Sequence, residues 1–356
     1  MTKELKRSDQ PRFDQQLLVP ILALVAIIVF NLIRDPSFFS VNLTQDSNGN
    51  PVLAGNLISI LNGASELAII SMGMTLVTAS SKGQDISVGA IGAIAGSVFV
   101  KVLSGGEITG GMITLGLIAC CLAGIACGAF NGALVSFFNI QPMIATLILF
   151  TTGRSIAYWI NGGATPTVSS PLITAIGGFI PGCPIPTPIF IVIIFAVAFW
   201  LLFKFTNLRL YTQAVGINQE AARLNGIDPS AVKMLTFLIL GVCSAVAGFI
   251  AVCRLGLINH ETILIEIEMD AILAVAIGGN SLAGGKFTVV GSVIGAYVIQ
   301  ALTTTLYAVK VPSTSIKAYK AVVIILIVII ASPVVKEAFA RMKSRREARR
   351  QLAEGK

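Results

Sequence analysis

Charged residues are scarce in this chain. They make up 12% of its 356 residues, against 55% hydrophobic, and mean hydropathy is +0.86. A soluble globular domain carries about 25% charge. So little polar surface cannot face water all round, which excludes an ordinary soluble domain. Histidine is reduced to His260 alone, which leaves no histidine metal site and no histidine-based triad. Six cysteines show no Cys-x-x-Cys or Cys/His ligand spacing. Cys120, Cys121, Cys127 and Cys243 fall within apolar runs, where a thiol acts as a small hydrophobe. No Gly-x-x-x-x-Gly-Lys-Ser/Thr phosphate cradle occurs. No nucleophile, acid/base or metal cluster is visible, so neither an enzyme nor a cofactor is expected.

What is present is apolar length. A span needs about 20 apolar residues. The runs at 17–33, 57–79, 86–103, 112–138, 143–160, 188–203, 234–252, 269–282, 289–306 and 318–333 are the candidates. The expected fold is therefore all-α: a polytopic membrane helix bundle of about ten transmembrane helices, some of them interrupted. The eighth run is broken by Gly278, Gly279, Gly284 and Gly285. The first follows Lys3, Lys6, Arg7 and Arg12 but ends without a small-x-small cleavage site, and reads as an uncleaved first span.

The formal net charge is +8, and its placement argues against nucleic acid. Lys and Arg concentrate in the tails and one central loop, the pattern of a membrane protein with a positive cytoplasmic side. Residues 1–16 read as a cytoplasmic basic tail, 17–335 as the membrane domain, and 336–356 as a second basic tail. That last tail carries Arg341, Lys343, Arg345, Arg346, Arg349 and Arg350, which suit cytosol or anionic membrane lipid. With both tails inside, 204–233 falls inside as well. The stretch 259–270, with Glu261, Glu266, Glu268 and Asp270 and no Lys or Arg, falls outside. So does 161–188, whose six prolines predict a stiff, irregular cover over the outer mouth or a docking surface.

Small residues recur at helical spacing in Gly92-x-x-x-Gly96, Gly124-x-x-x-Gly128-x-x-x-Gly132 and Gly291-x-x-x-Gly295, and predict close helix packing. Two stretches also resemble each other. Glu66 precedes Lys82 and Val88-Gly89; Asp270 precedes Lys286 and Val290-Gly291, with 16 residues from acid to Lys in both. Repeats whose interrupted helices meet at the substrate path are common in transporters.

Ionisable groups at membrane depth are costly and usually functional. Glu66, Asp85, Arg154 and Asp270 are the candidates. Asp85 or Ser87 can cap the following helix, or line a polar path for a hydroxylated solute. Arg154 can pair with an acid or reach to an interface. Asn131, Gln141 and Thr146 can meet a neutral polar substrate or bond neighbouring helices.

The segment Asn218-Gln219-Glu220-Ala221-Ala222-Arg223-Leu224-Asn225-Gly226 is the most informative. Asn218 can act as N-cap, with Glu220 near the positive helix end. Ala221, Ala222 and Leu224 favour helix, and Gly226 can end it in a left-handed turn. A short exposed helix of about two turns follows, either a connector between two spans or a knob that docks into a partner's cleft.

These residues, with five further motifs, resemble the ribose, xylose and galactose branch of bacterial ABC transporter permeases. The motifs are Met72-Gly73-Met74-Thr75-Leu76-Val77, Asp85-Ile86-Ser87-Val88-Gly89, Asn131-Gly132-x-Leu134-Val135, and Ile140-Gln141-Pro142-x-Ile144-Ala145-Thr146-Leu147. The last begins Glu268-Met269-Asp270-Ala271-Ile272 and runs through Ser281-Leu282 to Gly284-Gly285. The resemblance covers 57–333 and implies a type II-like importer permease in the bacterial cytoplasmic membrane. It implies a second permease copy or paralogue, a cytoplasmic ATP-binding subunit and a periplasmic or lipid-anchored sugar-binding protein. It makes Asn218, Glu220, Ala221, Ala222, Arg223 and Gly226 the coupling helix. By side-chain chemistry at depth, the pathway candidates are Glu66, Asp85, Ser87, Asn131, Gln141, Thr146, Asp270 and Ser281. Gln84 and Ile86 depart from the family's usual Gly-Ile-Asp-Leu-Ser pattern. The stretches 131–146 and 215–218 look most like galactofuranose-type members. The competing reading is a secondary transporter driven by an ion gradient, with Glu66 and Asp85 titrating during transport.

Overall fold

The computed structural model describes residues 17–45 and 49–331. Both basic tails lie outside the described residues. Fourteen helices and one hairpin make up the described chain. In order they are α1 (Leu18–Arg34), β1 (Asn42–Gln45), β2 (Pro51–Ala54), α2 (Asn56–Gly63), α3 (Ser65–Ser81), α4 (Val88–Leu103), α5 (Gly110–Ser136) and α6 (Pro142–Ile160). There follow α7 (Pro171–Gly177), α8 (Thr187–Phe205), α9 (Leu208–Ile217), α10 (Gln219–Leu224), α11 (Pro229–Leu255), α12 (Ile267–Ile277), α13 (Val289–Ala308) and α14 (Ser313–Ala331).

Among the described residues five helices are long and apolar enough to cross a membrane: α5, α6, α8, α11 and α13. The pair α2 and α3 qualifies as one span bent by 40°. Helices α1 and α4 are apolar but shorter. A polytopic membrane bundle follows directly. Each expected span overlaps a helix, with two differences of substance. The run 57–79 is bent at Ala64, and the run 269–282 holds only the 11 residues of α12. At 1.5 Å per residue α12 covers about half a bilayer core. Gly279, at φ +79°, turns the chain out of it.

Helix α3 is the centre of the bundle, with all 17 residues buried. A helix enclosed on every side must satisfy its polar groups internally. Ser71 Oγ donates to the Leu67 carbonyl (2.6 Å), and Thr75 Oγ1 bonds both the Ser71 carbonyl and Ser292 Oγ, each at 2.6 Å. Ser80 Oγ meets Thr236 Oγ1 at 2.9 Å. Around α3 pack α11, α12 and α13, while α11 also packs on α4 and α5. The expected glycine faces mediate this. A Cβ on Gly128 would come 2.5 Å from the Phe237 carbonyl oxygen, and one on Gly132 would come 2.6 Å from Met234 Sδ. The α5–α11 crossing is backbone against backbone, as lipid-embedded helices require.

The proline-rich segment 161–188 is less irregular than expected. It contains α7, and Val168 N donates to the Gly256 carbonyl at 2.8 Å. The hairpin β1–β2, unexpected from sequence, is tied to the same segment by Leu53 N to the Pro184 carbonyl, 2.9 Å.

Candidate functional site

The most complete local structure is the exposed helix α10. Asn218 sits in extended backbone, and its Oδ1 accepts from Glu220 N (3.0 Å) and Ala221 N (3.1 Å). The other end closes in a Schellman turn. Ile227 N donates to the Ala222 carbonyl, Gly226 N donates to the Arg223 carbonyl, and Gly226 adopts φ +77°. The two alanines part company. Ala222 turns inward onto Val215 and Val232, whereas Ala221 is exposed. Glu220 and Arg223 are exposed, and Leu224 is 89% exposed. Lys233 Nζ donates to Gln219 Oε1 at 3.0 Å and fastens the helix to the start of α11.

Helix α9, which no sequence signal had announced, links α10 to the bundle. Gly216 near its end has no room for a side chain, because a Cβ there would collide with the Ala79 carbonyl oxygen and lie 2.6 Å from Gly285 N. Gly285 N itself donates to the Ala79 carbonyl at 3.0 Å, and Lys82 Nζ donates to the Ile217 carbonyl at 3.3 Å. Gln84 Nε2 donates to the Leu282 carbonyl at 3.3 Å. The break between α3 and α4 and the break between α12 and α13 therefore meet each other and the base of α10 at one junction. The two stretches read as similar in sequence are the two helix–break–helix units that meet there.

Asp85 lies in the first break, 1% exposed. Its Oδ1 accepts from Ser87 N (2.7 Å) and Ser87 Oγ (2.6 Å), an Asx turn in front of α4, whose N-cap is Ser87 with no side-chain cap bond, so neither Asp85 nor Ser87 caps the helix by its side chain. Its Oδ2 accepts from Asn131 Nδ2 at 3.2 Å, and Asn131 Nδ2 also reaches Ser87 Oγ at 2.9 Å. Thr146 Oγ1 accepts from Ile86 N at 3.2 Å. Asp85, Ser87, Asn131 and Thr146 thus form one buried polar cluster joining the first break to α5 and α6.

The other pathway candidates lie elsewhere. Glu66, at the start of α3, pairs with Arg254 at 3.3 Å. Asp270, on α12, receives Lys320 Nζ at 2.7 and 2.8 Å. Gln141 and Ser281 are exposed, and Ser281 Oγ accepts from Ala283 N at 3.2 Å. Among the described residues Arg154 forms no ion pair; its Nη1 donates to the carbonyls of His260, Glu261 and Ile263 at 2.8–3.2 Å. Reading residues in isolation missed Asn280. Its Nδ2 donates to Ser292 Oγ at 2.7 Å, and its Oδ1 accepts from Thr288 N at 2.6 Å. Thr75 bonds the same serine, so Asn280 shapes the second break and ties it to α3. The only available signal was an amide side chain following Gly278-Gly279. Among the described residues no cluster of His, Cys, Asp and Glu could hold a metal ion.

Comparison with known proteins adds to this geometry. A family model described as branched-chain amino acid transport system / permease component matches residues 56–332. The galactofuranose transporter permease protein of Escherichia coli is 37% identical, with 88% of each chain covered. The fructose import permease protein of Bifidobacterium longum is 35% identical, covering 93% of this chain and 92% of that one. The ribose import permease protein of Escherichia coli is 35% identical over 89% and 93%. No solved structure matches the chain.

Proposed function

Since the chain belongs to the branched-chain amino acid transport system permease family, we propose that it forms the translocation pathway of an ATP-driven importer for a monosaccharide or a similar polar solute. The relatives' galactofuranose, fructose and ribose transport supports the sugar class. It favours this reading over an ion-gradient transporter. So does the state of its two candidate acids: Glu66 is held by Arg254, and Asp85 by Ser87 and Asn131.

The observation that carries the proposal is α10. A helix of six residues is far below the length at which isolated helices persist. Here it is capped at both ends, seated by Ala222, and left with Glu220, Ala221, Arg223 and Leu224 facing out. That is the form of a rigid knob for a partner's groove. The partner is a cytoplasmic ATP-binding subunit. Movement of α10 passes through α9 to the junction of Gly216, Ala79 and Gly285, and so to both interrupted helices. The polar cluster of Asp85, Ser87, Asn131 and Thr146 beside the first break is the nearest group with chemistry suited to a hydroxylated solute. Glu66, Gln141, Asp270 and Ser281 serve the scaffold or the surface in this reading.

The wider arrangement is that of a bacterial cytoplasmic membrane protein crossing about ten times with both termini inside. It pairs with a second copy or paralogue and receives solute from a periplasmic or lipid-anchored binding protein. In membranes containing the chain and its ATP-binding subunit, Glu220→Lys should leave insertion intact and separate ATP hydrolysis from uptake. Undiminished uptake by that variant would remove α10 from the coupling path.

A further inference from the structure

A cleft of about 370 Å³ opens on the flank of the bundle among α3, α8 and the start of α13. Its walls are apolar: Met72, Trp200, Phe203, Phe287 and Val293. Phe203 stacks edge-on against Phe287 at 6.0 Å and against Phe199 at 6.1 Å, which holds the walls in place. Arg209 lines the same cleft, the one charged residue among its lining groups. Lys204 stands beside it, its ammonium 4.7 Å above the Trp200 ring. Both cations are exposed, and among the described residues neither meets a carboxylate.

The chemistry is split along the cleft. An aromatic and aliphatic slot takes hydrocarbon, whereas Arg209 in its lining, with Lys204 over the neighbouring Trp200 ring, takes an anion. Helix α8 is the least buried of the candidate spans, so the slot faces lipid. A sugar has no match here, because the walls carry almost no hydrogen-bonding groups. We propose that this cleft is a binding site for an anionic phospholipid, with an acyl chain between Trp200 and Phe287 and the phosphate at Arg209 and Lys204. Basic pockets between transmembrane helices hold acidic headgroups in this manner. The site bears on function by position. Phe203 and Arg209 flank the connection from α8 to α9, and Thr288 and Val289 in its wall end the second helix break. A bound lipid therefore braces the frame against which α10 moves. The inference rests only on the chain being a membrane protein, so its failure would leave the importer reading standing.

Trp200 reports directly on the cleft, and the chain has only two tryptophans. Trp159 is 80% exposed on α6, so Trp159→Phe removes the second signal at little cost to packing. The full chain carrying that change is placed in phosphatidylcholine nanodiscs. Lipids brominated on the acyl chain are then introduced at equal low mole fraction, either phosphatidylglycerol or phosphatidylcholine. The expected result is saturable quenching of Trp200 that is stronger with the anionic lipid. Loss of Lys204 or Arg209 (Lys204→Gln, Arg209→Gln) should each reduce the anionic preference about fivefold, and Arg209→Lys should retain most of it. Inorganic phosphate, compared with chloride at matched ionic strength, should not displace the lipid. Equal quenching by the two lipids would overturn the proposal. So would a preference unchanged in the double Gln variant, or displacement by phosphate alone. Absence of quenching by either lipid would show that protein, such as a second copy, covers the cleft, and would overturn it equally. Ala196→Phe, which fills the slot without touching the cations, should abolish saturation while leaving the melting temperature near that of the parent.

Discussion

Replacing Asn218 by Ala removes one side-chain oxygen that holds two backbone donors, Glu220 N at 3.0 Å and Ala221 N at 3.1 Å. Loss of such a cap costs about 1 kcal/mol, with a range of roughly 0.5–2. With six residues α10 has no internal reserve, and its remaining supports are the turn at Gly226 and the seat of Ala222 on Val215 and Val232. One kcal/mol then becomes an increase of about fivefold in the population of the opened helix, and the range spans about twofold to thirtyfold. Hydrogen exchange read by mass spectrometry on a peptide covering 219–227 measures this directly. Amides of Ala222, Asn225, Gly226 and Ile227, all hydrogen-bonded within the motif, should exchange about fivefold faster. Peptides from the buried α3 should not change. Asn218→Ser, which keeps an acceptor, should recover most of the protection. Unchanged exchange in Asn218→Ala would refute the reasoning, because packing alone would then hold the helix.

Gly216→Ala should damage the junction of α9 with both helix breaks, since the Ala79 carbonyl is backbone and cannot rotate away. The expected outcome is a fall of several degrees in melting temperature, or, where the protein survives, ATP hydrolysis without uptake. Asp85→Ala leaves Ser87 N and Ser87 Oγ without their acceptor and Asn131 Nδ2 with only its bond to Ser87 Oγ, at roughly 1–3 kcal/mol for each buried group left unpaired. Asp85→Asn retains one acceptor oxygen and should fold far better, so thermal melting should rank parent, Asn and Ala in that order. Uptake by Asp85→Asn should fall more than its yield of folded protein; equal losses would make the residue structural. Lys320→Ala should weaken the attachment of α14 to α12, since Asp270 receives that ammonium through both oxygens, and thermal melting reads the loss.

Local chemistry was legible in the sequence, and α10 shows why. Its cap, its helix formers and its terminating glycine sit within nine consecutive residues, so nothing distant had to be known. The apolar runs were equally legible, because membrane thickness sets their length. Their ends and breaks were not. The run 57–79 carries no proline or paired glycine at Ala64, where the helix bends, so hydropathy read it as continuous. The run 269–282 was counted as a span although α12 stops at Ile277 and, past Gly278-Gly279, polar Asn280 and Ser281 precede the single apolar Leu282; the glycines were the sign of the break. Pairings between distant positions left no trace. Lys320 answers Asp270 from 50 residues on, and Arg254 answers Glu66 across 188. The eight pathway candidates were chosen for polarity at depth. The fold divides them, gathering Asp85, Ser87, Asn131 and Thr146 into one cluster and leaving Glu66, Gln141, Asp270 and Ser281 apart. Helix α9 was missed because its ten residues mix apolar and polar positions with no cap signal, and it is defined by packing on α3, α10 and α11.

The claim on which the account rests is that motion generated by ATP hydrolysis elsewhere enters this chain through α10. Proteoliposomes containing the chain, an ATP-binding subunit and a loaded binding protein test it, with radiolabelled monosaccharide as cargo and ATP on the side of α10. Accumulation against the gradient should require ATP and all three components, and should cease with Glu220→Lys while hydrolysis continues. Accumulation by the chain alone, driven by an imposed proton or sodium gradient, would contradict the account.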